Sequence, residues 1–379
     1  MVAVVSVGEI RVVSKGGLPR SLLRCTGFTS LAWSPDGQEI WFSTLDGGES
    51  QIRAVTLQGG VRLMARYPGR LELVDVDAAG RGLAIASSQV RQAYGRAPRG
   101  ERDIDLTWLD AQSPRALRAD GSQVLLARAG DWEMESHVGL YLRSLDRGPA
   151  TNLGTGSLDA DISSDGRWVV ALDTDAKGQT GVRLIPTGAG VPRWYPLTGA
   201  AVNADCMWFH PAGRTVYLVE EVTDSLSRLD LVTGTLTPKV VPGKVGFTLG
   251  LKAFSPDGRR ILLTDMSKSP PDERVFSFLV FEGEGVKPTP TNGNLRTEVA
   301  AGWADNNREV YLYDRNAIPA KVVRWDPVTG VRRPFLEIMP SDPSGVWGIS
   351  NLTITPSGNA YAYSVARKFS DLYLIEGLK

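Results

Sequence analysis

His137 and His210 are the only imidazoles in 379 residues, so acid–base chemistry near neutral pH would have to run through them or through carboxylates. A serine hydrolase would need G-x-S-x-G, and no such pentapeptide occurs. His210 sits in a tetrapeptide, His210-Pro211-Ala212-Gly213, at the position that Ser34 and Ser255 hold in sister tetrapeptides, which reads as a turn and not as a base. Asp36, Asp165 and Asp257 recur in those tetrapeptides, where an Asp side chain caps its own backbone. Asp75-x-Asp77 and Asp173-x-Asp175 imitate the start of a calcium loop, but Ala86 and Leu184 stand where its closing Glu belongs. The two cysteines, Cys25 and Cys206, are too far apart for a C-x-x-C redox or zinc motif and read as two buried thiols. No P-loop and no kinase catalytic loop is present, and Gly154-Thr155-Gly156 lacks the third glycine and the helix a dinucleotide fold needs. No catalytic residue, metal or cofactor is expected.

Two charged segments remain as candidates for binding a partner. Arg91 to Arg102 holds four arginines in twelve residues, Arg91, Arg96, Arg99 and Arg102. Asp131, Trp132, Glu133 and His137 form an acidic stretch with an exposed-looking Trp. Both read as loops, and loops carry function on rigid scaffolds. The 42 basic and 42 acidic residues cancel, so no field draws the chain to nucleic acid. No apolar run approaches the 18 residues of a membrane helix, and the apolar start Val2 to Val7 is too short for a signal peptide. A monomer is expected.

These candidates hang on a repeat. LAWSPDGQEIWFS (Leu31 to Ser43), ADISSDGRWVVALD (Ala160 to Asp173), MWFHPAGRTVYLVE (Met207 to Glu220) and KAFSPDGRRILLTD (Lys252 to Asp265) are its clearest copies. The turn glycine, or Asn307 once in its place, falls at 37, 80, 121, 166, 213, 258, 307 and 358, a spacing of about 45 residues that fits one four-stranded blade per unit. Within each unit Ser-Pro-Asp-Gly predicts a type I turn and a hairpin. The apolar run after it, such as Val216 to Val219, predicts a strand covered on both faces. An alternating strand such as Gln51 to Leu57, then a Gly-rich turn, complete the blade.

The expected fold is an all-β propeller of four-stranded blades, with residues 1–379 as a single domain. A single eight-bladed ring is favoured, and a six- or seven-bladed ring with extra strands is the alternative. Glu9 to Gly17 and Pro19 to Arg24 match the third and fourth strands of a blade without a preceding hairpin, while Asp371 to Gly377 matches a third strand without a fourth. Residues 9–24 are therefore expected to complete the C-terminal blade and close the ring.

The Ser-Pro-Asp-Gly hairpins and the strand after them resemble TolB-like and WD-repeat-like propeller modules. Pro319 to Asp326, Met339 to Val346 and Tyr361 to Lys379 resemble the C-terminal end of bacterial eukaryotic-like serine/threonine kinases, whose sensor region follows a kinase and a membrane helix. That resemblance implies an extracytoplasmic sensor that binds a ligand or a protein without turnover. It carries over no kinase residue, because the kinase motifs are absent. The alternatives are a structural scaffold that docks another protein through a blade face, and an enzyme using carboxylates around the central channel.

Overall fold

The structure is a computed structural model describing residues 2–6, 8–108, 112–128, 138–146, 148–199, 204–220, 223–246, 253–265, 278–286, 289–291 and 297–378. It divides into two compact units, Met1–Gln89 with Lys368–Lys379, and Val90–Arg367. All named elements are strands. No helix among the described residues is long and apolar enough to cross a membrane.

The first unit holds two whole sheets and one end, Arg70–Val76, of a five-stranded sheet whose other strands lie wholly or partly in the second unit. Strands β1 (Val2–Ser6), β2 (Glu9–Val13) and β3 (Arg20–Arg24) form one, and β4 (Phe28–Trp33), β5 (Glu39–Asp46), β6 (Glu49–Thr56) and β7 (Val61–Pro68) form a complete blade. In that five-stranded sheet, β8 (Arg70–Val76) pairs with the first half of β9 (Gly82–Arg96), which lies beside β32 (Tyr361–Ile375). The middle blade is covered on both faces, as its apolar runs require. Ile40, Phe42 and Val55 pack under Ile10 and Val12, while Trp41, Ile52 and Ala54 pack against Leu71, Leu73 and Ala84.

The second unit holds six sheets. Five are consecutive up-and-down blades. With β10 (Ile104–Asp105) left for the sixth, the first is β11 (Gln112–Leu117), β12 (Gln123–Arg128), β13 (Val138–Ser144) and β14 (Ala150–Gly156). The next is β15 (Asp161–Ile162), β16 (Trp168–Thr174), β17 (Thr180–Pro186) and β18 (Arg193–Pro196). There follow β19 (Ala204–Phe209), β20 (Thr215–Glu220), β21 (Ser225–Asp230) and β22 (Leu236–Thr237), then β23 (Val245–Gly246), β24 (Ile261–Asp265), β25 (Phe278–Phe281) and β26 (Thr289–Pro290). The fifth is β27 (Glu298–Trp303), β28 (Val310–Asp314), β29 (Ala320–Trp325) and β30 (Arg332–Ile338). The sixth is assembled from both ends of the unit, in the order β10-β9-β32-β31, with β31 at Val346–Ile354. The innermost strands β11, β15, β19, β23, β27 and β31 follow one another in cyclic order, and β31 meets both β27 and β11.

The all-β propeller expectation therefore holds. Six of the eight turn markers fall in the second unit and two, Gly37 and Gly80, in the first. Within residues 9–24, β2 pairs with β1 on one side and with β3 on the other. Strand β9 lies beside β32, and its second half holds only three apolar residues, Val90, Ala93 and Tyr94.

The closing sheet is fastened by side chains. Asp103, just before β10, accepts hydrogen bonds at Oδ1 from Arg96 Nε at 2.9 Å and Tyr361 OH at 2.7 Å, and at Oδ2 from Tyr363 OH at 2.7 Å. Tyr94 stacks on Tyr363 with ring centroids 5.7 Å apart. Arg367, almost wholly buried, donates to Gln92 Oε1 at 2.6 Å and to the carbonyl of Asp342 at 2.8 Å. Burial, then the bond to Asp103, pushes both Tyr361 and Tyr363 far above the ordinary phenol range.

In the first unit Glu9 is the buried charge of the three-stranded sheet. It takes Ser21 Oγ at 2.5 Å, Arg11 Nε at 2.6 Å and Arg24 Nε at 3.4 Å. These donors, the Ser21 hydroxyl foremost, lower its pKa to about 2. Because the folded value lies below the unfolded one of about 4.3, the stabilisation is complete above pH 4.3 and is lost as pH falls towards 2. Amide-exchange protection of β2 and β3, corrected for intrinsic rates, should accordingly drop between pH 4.3 and 2. Glu9→Gln should show weaker protection at neutral pH and no such drop. A wild-type profile flat over that interval would remove the assigned role of Glu9.

Candidate functional site: an axial apolar cavity

Each repeat of the second unit ends its innermost strand in a tight turn, and the residue types of that turn build a site. In Ser163-Ser164-Asp165-Gly166 the Ser163 hydroxyl donates to Asp165 Oδ1 at 2.6 Å and accepts the Trp168 amide at 3.0 Å. The same bonds recur at Ser255, 2.7 Å to Asp257 and 2.9 Å from the Arg260 amide. Asp165 is lowered chiefly by the Ser163 hydroxyl, so this carboxylate is held ionised inside its turn. Asp77 and Asp175 are likewise occupied by backbone amides of their own turns. The last turn position is left-handed, φ 72° at Gly258 and 57° at Asn307, and Asn tolerates that conformation where Gly is missing.

At His210 the turn fixes the imidazole. Nδ1 accepts the Ala212 amide at 3.1 Å, leaving Nε2 as donor to the Gly258 carbonyl at 3.2 Å. Both nitrogens are engaged, and the ring packs edge-on against Phe254 with centroids 5.2 Å apart. It has no lone pair left for proton transfer. A Cβ at Gly258 would meet this ring at 2.6 Å, so glycine is required there for space as well as for φ.

The turns succeed one another around the cycle through hydrogen bonds. Ser164 Oγ donates to the Pro211 carbonyl at 2.7 Å, the Asp257 amide to Asn307 Oδ1 at 2.9 Å, and the Asp305 amide to the Pro356 carbonyl at 2.9 Å. They enclose a cavity of about 120 Å³ lined by all six sheets. Its floor is the residue before each turn: Leu117, Ile162 and Ile354 on one side, Phe209, Phe254 and Trp303 on the other. Its rim is the second turn residue, Ala119, Ser164, Pro211, Pro256 and Pro356.

Internal bonds position the floor. Trp303 Nε1 donates to the Ala253 carbonyl of the neighbouring sheet at 3.1 Å. Asp161, a buried carboxylate at the wall, accepts the Ile162 amide at 2.8 Å and the Phe209 amide at 3.0 Å, which ties two innermost strands together. Phe254 rests on Tyr217 with centroids 4.7 Å apart. The cavity thus offers apolar and aromatic surface with no nucleophile–base pair among the described residues lining it, and can take up an apolar group of benzene size.

The residues singled out from the sequence lie elsewhere. Arg91 and Arg96 are on β9 and not on a loop. Arg96 is committed to Asp103 and lies over the Tyr361 ring at 5.1 Å, so it serves the closing sheet. Arg99 and Arg102 are exposed in the turn between β9 and β10, Arg99 with φ 65°. Asp131, Trp132, Glu133 and His137 lie outside the described residues. Cys206 is buried and Cys25 half-buried, neither in a disulfide, and burial raises the Cys25 thiol. The floor and rim escaped the sequence reading, although the signal was there: aligning the repeats shows an apolar residue before every turn and Pro or a small residue at its second position in five of six.

No family model and no curated protein matches the chain. Among solved structures, a TolB-type protein from Agrobacterium tumefaciens is 17% identical, with a TM-score of 0.51, covering 74% of this chain and 99% of that one. TolB from Acinetobacter baumannii is 13% identical with a TM-score of 0.37, covering 76% and 60%. The propeller domain of the trilobed protease of Pyrococcus furiosus is 11% identical with a TM-score of 0.38, covering 93% and 96%. At these identities the likeness concerns the fold: the chain is built as a β-propeller protein.

Proposed function

We propose that the chain is a non-catalytic binding propeller whose axial cavity receives one apolar side chain of a partner protein. The observation that carries this reading is the composition of the site: every sheet contributes an apolar floor residue, three of them aromatic, and the neighbouring carboxylates and His210 are engaged by turn hydroxyls and backbone amides. A pocket that is aromatic below and proline-rimmed above suits a desolvated anchor residue, the element that dominates protein interfaces. The sensor role implied by the resemblance to receptor kinases, and the extracytoplasmic site that goes with it, are the finer form of the same reading. Arg99 and Arg102, both exposed, would be additional partner contacts in that form. Of the alternatives, a scaffold would use the same face without signalling, and the enzyme reading would need free carboxylates at the cavity.

Calorimetric titration with N-acetyl-L-phenylalaninamide tests this reading. Saturable binding is expected, with the ligand recovered unchanged, and Ile354→Trp, which fills the cavity from the floor, should weaken it at least tenfold. Equal affinity in the filled variant would place the binding elsewhere, and conversion of the ligand would make the protein an enzyme.

A further inference from the structure

Beside the rim, between the turns of the fourth and fifth sheets of the cyclic unit, lies a groove of about 670 Å³ whose character is opposite to that of the cavity. Its cations are Arg259, Arg260 and Arg308, and its lining carboxylates are Asp257 and Glu282. Asp257 is already spent on Ser255 Oγ at 2.7 Å and the Arg259 amide at 3.0 Å. Among the described residues Glu282 reaches Arg260, at 3.3 Å, and is itself 64% exposed. Arg260 is braced further by the Asn307 carbonyl at 3.4 Å. Arg308 places Nε on Asp326 Oδ2 at 2.6 Å yet stays 60% exposed, so the rest of its fork faces outward. The exposed Arg259 guanidinium has no ion pair or hydrogen bond among the described residues. The floor of the groove is polar too, for Asn306 and Asn307 bond to the backbone of Arg308 and Asp257 at 3.0 and 2.9 Å.

We propose that this groove binds the carboxylates of an acidic, extended peptide segment of the partner whose apolar anchor enters the axial cavity. The proposal rests on the cavity reading for the anchor and on the groove alone for the charge. Two observations set the geometry. Pro256 on the cavity rim and Asp257 in the groove are consecutive residues, hence about 3.8 Å apart at their Cα atoms, so one short segment can reach both. Arginine forks match carboxylates two bonds at a time, and two of the three guanidiniums here retain unoccupied donors. An acidic residue within two or three positions of the anchor is therefore the motif the surface fits, with a rate of association that falls as salt rises.

The test is selection from a random dodecapeptide display library on the full chain, repeated on Arg259→Glu, on Arg308→Gln and on Ile354→Trp. Arg259→Glu removes no recorded internal bond, so folding is preserved. Peptides enriched on the wild type should pair a bulky apolar residue with Asp or Glu within three positions, and a selected peptide should lose at least fivefold in affinity on Arg259→Glu and on raising salt from 50 to 300 mM. Acidic enrichment that persists unchanged on Arg259→Glu and Arg308→Gln overturns the groove while leaving the cavity intact. Acidic enrichment without an apolar residue, unaltered by Ile354→Trp, upholds the groove and overturns the anchor. No enrichment, or saturable binding of inorganic phosphate without preference for acidic peptides, overturns the proposal.

Discussion

Asp103→Ala should lower the stability of the cyclic unit by about 3 to 5 kcal/mol, the range for stripping one partner from a largely buried ionic network. The side chain is 13% exposed and is the shared acceptor of Arg96, Tyr361 and Tyr363, so its removal leaves a guanidinium and two phenols facing each other without an acceptor. Those four residues fasten β9 and β10 to β32, a junction between strands far apart in the chain. Asp105→Ala provides the control, because Asp105 is exposed and accepts only the Thr107 amide. Urea midpoints should separate the two variants clearly, and equal midpoints would show that the side-chain network does not hold the closing sheet. By the same logic, deleting residues 91–102 removes part of a structural strand and should unfold the unit, whereas the sequence alone presents that segment as an expendable loop.

Trp303→Ala carries the second large effect. The indole is 2% exposed and bonds to the Ala253 carbonyl across two innermost strands, so the loss combines burial, a cavity and a broken hydrogen bond, at about 3 to 5 kcal/mol. Trp108→Ala, at a ring 54% exposed, should cost far less. Thermal melts of the two variants decide it: a Trp303→Ala midpoint no lower than that of Trp108→Ala would mean that the floor of the cavity is not the packed surface described.

The repeat was legible because its turns are chemically specific. Ser-Pro-Asp-Gly can be read as a hairpin from its capping hydroxyl, its preset φ and its left-handed closing residue, and even Asn307 in place of Gly has the backbone that reading demands. Layout was harder. Ser87 to Gln92 runs as strand, yet Val90 is its one apolar residue, so little marks that β9 continues to Arg96. Its pairing with β32 is a contact between residues some 270 positions apart, which periodicity cannot report. Glu9–Val13 and Arg20–Arg24 did match strand patterns and are strands, but a matching pattern does not name a neighbour, and the pairing of β2 with β1 was not legible in it. Arg96 looked available because a charge in a segment without apolar alternation gives no hint of a buried Asp103 beside it. The cavity was legible in part: the floor residues are visible as apolar positions before each turn, but their convergence on one axis requires the cyclic order.

Diffraction from xenon-pressurised crystals tests the central claim most directly, since an apolar cavity of this size takes up xenon while a polar one holds water. The account predicts a single well-occupied xenon in contact with Phe209, Phe254 and Trp303, abolished in Ile354→Trp. Ordered water in that place, hydrogen-bonded to Asp161 and excluding xenon, would contradict it.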